Sequence, residues 1–142
     1  MYKELKKFKT TNQFHFTTTD DLAIVCNAPE DQPGIFMVYA VDGENKELIM
    51  VASTGTIQND GSLKIKSGGL YDKIVNGHQF AKTSRKYSWI SQMKLENIDL
   101  IEVVWVATIT AKNKTIPTFL EAQMLQNFFE EHQKLPRWNV AF

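Results

Sequence analysis

Short continuous apolar runs alternate along the chain with polar stretches punctuated by glycine and proline. Ile35-Phe36-Met37-Val38-Tyr39-Ala40-Val41 is a run without polar breaks, which predicts a strand buried on both faces. Asp42-Gly43-Glu44-Asn45 separates it from Glu47-Leu48-Ile49-Met50-Val51-Ala52-Ser53. An Asp-Gly pair between two apolar runs is a hairpin signal. A polar, glycine-bearing loop follows from Thr54 to Ser67. Gly69 to Asn76 reads as a short helix stopped by Gly77. Ser84 to Asn97 reads as a second helix, capped by Ser84, with Tyr87, Ile90 and Met93 or Lys94 at helical spacing. Asp99 to Ile109 is β-branched and apolar and predicts a third strand. Pro117 suits a first helical turn, and Leu120, Met124, Leu125, Phe128 and Phe129 then form an apolar stripe at helical spacing. The order is hairpin, helix, helix, strand, helix. It predicts an α+β domain with a three-stranded antiparallel core sheet flanked by helices.

Residues 1–32 read differently. They hold an aromatic island, Phe14-His15-Phe16, a short apolar run from Leu22 to Cys26, and a loop around Pro29 and Pro33 that breaks any ladder. They are expected to form an extension packed on a domain of residues 33–142, as an added strand, an added helix or an arm for a partner.

Composition narrows the class. A length of 142 residues suits one domain with its own core, and 43% hydrophobic residues exclude a disordered chain. The longest apolar runs fall far short of the roughly 20 residues needed to span a bilayer, so no membrane partner is expected. The first residues have no apolar stretch behind them, which argues against a signal peptide. A single cysteine, Cys26, excludes an internal disulfide and fits a reducing cytoplasm. Beside Ile24-Val25 it reads as an apolar packer rather than a nucleophile.

The formal net charge is zero, which argues against polyanion binding by the whole surface. Between Gly61 and Lys86, however, stand Lys64, Lys66, Lys73, Lys82, Arg85 and Lys86 against one acid, Asp72. That excess suits either a polyanion or a solvated loop and helix. Zinc spacing, a phosphate loop and a dinucleotide fingerprint are all missing from the sequence. Gly68-Gly69 before a helix is a weak anion signal. Glu121 is more informative. It shares a helix face with Leu125 and Phe128, so its carboxylate falls on the buried side or its edge. Such a carboxylate needs a Lys or Arg partner or a metal.

The order of motifs then matters. Gly34-Ile35-Phe36 opens one strand, Met50-Val51-Ala52 lies on the next, Lys73 is on a following helix, Glu121 begins the last helix, and Pro136-Arg137-Trp138-Asn139 closes the chain. Over roughly residues 33–140 this resembles the GIY-YIG nuclease superfamily, in its small bacterial and restriction-enzyme-like members. The resemblance implies a metal-dependent endonuclease acting on DNA phosphodiester bonds. Glu121 would bind one Mg²⁺ or Mn²⁺ ion, and Lys73 would stand where the family has an arginine. The family's two tyrosines fall at Phe36 and Met50, neither of which has a hydroxyl to move a proton. Tyr71 and His78 are the candidates to assist proton transfer, and Lys64, Lys66, Lys82, Arg85 and Lys86 the candidate DNA contacts. Loss of both tyrosines and the arginine equally suits a catalytically inactive module of the same fold that binds DNA or a protein partner. An assembly role without nucleic acid is the third reading.

Overall fold

Both faces of the apolar runs find partners in the computed structural model, which describes residues 3–64 and 68–142. The strands are β1 (Thr11–Thr17), β2 (Gly34–Asp42), β3 (Asn45–Thr54), a small pair β4 (Thr56–Ile57) and β5 (Leu63–Lys64), and β6 (Leu100–Ala107). The main sheet is antiparallel throughout, in the order β1-β6-β2-β3. It therefore has four strands rather than the three expected. The extra strand comes from the N-terminal segment, where Thr11 to Thr17 pair with β6 along their whole length. Phe14 and Phe16 of that strand enter the core, so the segment is held by packing as well as by its ladder.

Helices cover the sheet on both sides. They are α1 (Leu22–Val25), α2 (Gly69–Asn76), α3 (Arg85–Glu96) and α4 (Pro117–His132). Strand residues alternate between faces. Phe36, Val38, Met50 and Ala52 pack with Leu70 and Ile74 of α2 and Trp89 and Met93 of α3. Ile35, Met37, Leu48 and Val51 pack with Leu120, Met124, Leu125 and Phe128 of α4. Full burial of such a side chain contributes about 1.5–3 kcal/mol. The helical stripe read from the sequence is therefore what fixes α4 to the sheet.

Local details depart from expectation at two helix starts. Ser84 stands at the N-cap of α3 but makes no side-chain capping bond. The first turn of α2 does not face an anion. The Leu70 and Tyr71 N–H groups donate to the carbonyls of Gln32 and Pro29. The loop before β2 thus consumes the donors that Gly68-Gly69 were read as presenting. Gly34 has a different role, because a Cβ there would lie 1.9 Å from the Val106 carbonyl oxygen. Only glycine allows β2 to approach β6 that closely.

An asparagine side chain bonds to the backbone at each sheet edge. Asn139 accepts from the Val51 N–H and donates to the Val51 carbonyl, while the Trp138 N–H donates to Ile49. On the far edge Asn27 donates to the Gln13 carbonyl and accepts from Trp105. Backbone groups engaged in this way are not open to a foreign strand. No helix among the described residues is long and apolar enough to cross a membrane.

Candidate functional site

The site lies where the end of β3, the body of α2 and the first turns of α4 meet. Alternation places Ser53 on the same face as Val51, turned toward α4. Its hydroxyl donates to Oε1 of Glu121 over 2.5 Å. Glu121 is half-buried, and that burial raises its carboxyl pKa. The Ser53 bond and the nearby Lys73 ammonium partly pull it back. Lys73, far from Glu121 in sequence, thus lies within electrostatic reach of it.

In front of this pair lies a cleft of about 380 Å³, lined by Ser53, Thr54, Gln58, Lys64, Lys73 and Thr118. Glu121 is not part of its lining. It stands one side chain behind Ser53. A second hollow of about 240 Å³ adjoins through Thr54 and Lys73 and reaches Asn76, Gly77 and His78. Lys73 and His78 therefore line the same hollow.

Other candidates lie elsewhere. Phe36 and Met50 are buried under α2 and α3, on the sheet face opposite Ser53 and Glu121. They fill the core and present nothing to the cleft. Tyr71 turns away from Lys73. Its hydroxyl donates to the Ala23 carbonyl over 2.6 Å, and desolvation raises its pKa. A phenol anchored to α1 in this way has no geometry for proton transfer at Lys73.

The basic residues also separate. Lys64 is exposed and lines the larger cleft. Lys82 is exposed on the loop before α3. Lys86 lies over the Tyr87 ring and is felt electrostatically by Tyr71. Lys66 lies outside the described residues. Arg85 corrects the expectation of a DNA contact. It is only 4% exposed, and its guanidinium stacks over Phe36 and Trp89. The α-helical period explains this, since Arg85 shares a face with the buried Ser88 and Trp89.

A metal at this site would rest on one carboxylate. Among the described residues no group of three or more His, Cys, Asp or Glu side chains converges. The donor set on offer is the Glu121 carboxylate behind the cleft wall, with Oε1 already accepting from Ser53; Mg²⁺ keeps most of its water and is usually bound through one or two carboxylates. Ser53 was not singled out in the sequence. The signal for it was its spacing of two from Val51, on a face that a helix had to cover. Cys26 behaves as read: it is buried, and desolvation pushes its thiol to about 11.

Comparison of the chain with family models, with characterised proteins and with solved structures finds no match.

Proposed function

We propose that this protein is a GIY-YIG-type metal-dependent endonuclease with a diverged site, acting on DNA phosphodiester bonds in the cleft between β3, α2 and α4. The observation that carries the reading is a cleft lined by Ser53, Lys64 and Lys73, with Glu121 behind Ser53 and within electrostatic reach of Lys73. The order of hairpin, two helices, strand and helix supports it, as does the central place of the strand that begins Gly34-Ile35. Within the reading, Lys73 and Lys64 hold the phosphate by charge. Ser53 orients the Glu121 carboxylate, whose second oxygen is left for the cation. That cation, when bound, would polarise the phosphoryl oxygens and stabilise the leaving oxygen. His78, exposed on the adjoining wall, is the group in place to accept a proton from water.

The test is nicking of supercoiled plasmid with Mg²⁺ or Mn²⁺, wild type beside Glu121→Gln. Cleavage present in the wild type and lost in the variant supports the reading. No cleavage, or cleavage that survives the substitution, overturns it.

A second reading, an inactive module of the same fold that binds DNA or a protein partner, is favoured by one observation. Phe36 and Met50 are buried in the core on the far side of the sheet from Glu121. The group that would activate water is then left to His78 alone, and loss of such help costs about 10²–10⁴ in rate.

A further inference from the structure

Arg85 is a buried charge without an acidic partner among the described residues. Its side chain is almost fully buried, and among the described residues no carboxylate lies within ion-pair distance of it. Nε donates to Gln79 Oε1 at 3.0 Å, and Nη1 donates to the Lys73 carbonyl. The same Gln79 oxygen also accepts from the Trp89 indole. Nη2 takes no partner among the described residues and keeps a trace of solvent contact, since it is not among the buried unsatisfied atoms. Burial lowers the pKa to about 10, which leaves the group charged at neutral pH. The carbonyl at the C-terminal turn of α2, the Gln79 amide and two aromatic rings offset part of the cost of burying this guanidinium, but no opposite charge among the described residues does.

What lies beside this charge gives it a use. A Cβ at Gly77 would come within 1.9 Å of Arg85 Nη1, so the guanidinium sits directly behind the bare backbone of Gly77. Gly77 forms the wall of the 240 Å³ hollow, together with Thr54, Lys73, Asn76 and His78. Hydroxyl, ammonium, amide and imidazole groups thus line a small space with a buried positive charge behind it. Asp72 is the one acid lining the hollow, and its Oδ1 already accepts from the Asn76 amide.

We propose that this hollow is a phosphate site, in which Thr54, Lys73, Asn76 and His78 contact the anion and buried Arg85 supplies the field from behind Gly77. The ligand class is the phosphate group of a nucleic-acid backbone. For that choice of ligand the inference rests on the phosphodiester reading above. Arg85 is a positioning residue here: it holds the Lys73 carbonyl and biases the hollow toward anions without touching them.

The test uses the full chain, ¹⁵N-labelled, titrated with inorganic phosphate at constant ionic strength. Saturable shifts confined to Thr54, Lys73, Asn76, Gly77, His78 and the Arg85 Nε–H are expected. Arg85→Met should weaken binding at least about tenfold, which one charge within roughly 12 Å supplies at an effective dielectric of roughly 20, and Arg85→Lys should restore part of it. Non-saturating shifts spread over Lys64, Lys82 and Lys86, or wild-type affinity in Arg85→Met, would overturn the proposal. Should Arg85→Met not fold, His78→Gln, at an exposed position, gives the same decision: weaker binding supports the site and unchanged binding removes it. Competition by the dinucleotide d(TpT) identifies a backbone phosphate, whereas phosphate binding without competition overturns the nucleic-acid assignment. Plasmid nicking does not enter this readout. Phosphate binding without nicking removes the endonuclease alone, and nicking without phosphate binding removes this site alone.

Discussion

Glu121 shows how one position sets both chemistry and stability. Its carboxyl pKa is raised above the ordinary value of 4.5, chiefly by burial. The folded chain therefore holds that proton more tightly than the unfolded chain does. The stabilising contribution is complete below pH 4.5 and is lost as pH rises through the folded value. Glu121→Gln keeps an acceptor for Ser53 and removes the charge. Denaturant unfolding should show the variant level with wild type near pH 4 and more stable at pH 7. The same substitution should lower plasmid nicking by at least about 10², the scale of losing a key electrostatic group. Cys26 supplies a second residue-scale prediction. With its thiol at about 11, little thiolate exists at pH 8. Alkylation by iodoacetamide should be about 100-fold slower in the native protein than in urea, from thiolate content alone. Equal rates would place Cys26 at the surface.

At the scale of elements, the C-terminal tail acts as a partner for the edge strand β3. Asn139 satisfies both the N–H and the carbonyl of Val51, and Trp138 packs against Trp89 and donates its indole N–H to Glu96. Asn139→Ala should cost about 1–3 kcal/mol, from two hydrogen bonds at a partly buried edge. It should also raise aggregation during refolding, measured by light scattering, because an open edge invites another chain. The helix on the opposite face depends on volume rather than on polar bonds. Leu120 and Met124 are buried at the centre of the cluster it forms with β2 and β3. Either substitution to alanine should cost about 2–5 kcal/mol, read from the denaturation midpoint. A loss near zero would mean that α4 is not held by this stripe.

For the molecule as a whole, charge is divided rather than pooled. The basic stretch that looked like one patch in the sequence is spread over a cleft, a loop and a helix side, and Arg85 leaves the surface altogether. Lys64 shares the cleft with Lys73, whereas Lys86 stands on the α1 side, beside Tyr87. Lys64→Glu should therefore weaken DNA retention on filters more than Lys86→Glu does. Each lost phosphate contact should flatten the salt dependence by about 0.9 per contact on duplex DNA. Equal effects from the two substitutions would indicate diffuse attraction rather than a footprint.

The amino-acid sequence by itself determined the hairpin, the two helices after it, the following strand and the last helix, in that order, because local periodicity carries that information, whereas the short β4–β5 pair lies inside a stretch that read as loop. The helix expected over Gly69–Asn76 spans those residues in the fold, and the helix expected from Pro117 begins there. The turn at Gly43 and the long apolar strands followed from short-range chemistry alone. The type and depth of Glu121 were legible too, because its spacing from Leu125 and Phe128 put it at the edge of the buried face. Tertiary structure alone decided three other matters. Pairing of Thr11–Thr17 with β6 joins segments about 90 residues apart in sequence, a distance over which no local pattern speaks. The face of the sheet that Glu121 attends depends on how α4 crosses it, which separates Glu121 from Phe36 and Met50 and joins it to Ser53. The fate of each basic side chain depends on what packs above it. A lysine and an arginine read alike in a sequence, yet Lys64 lines a cleft and Arg85 is enclosed between Phe36, Trp89 and Gly77.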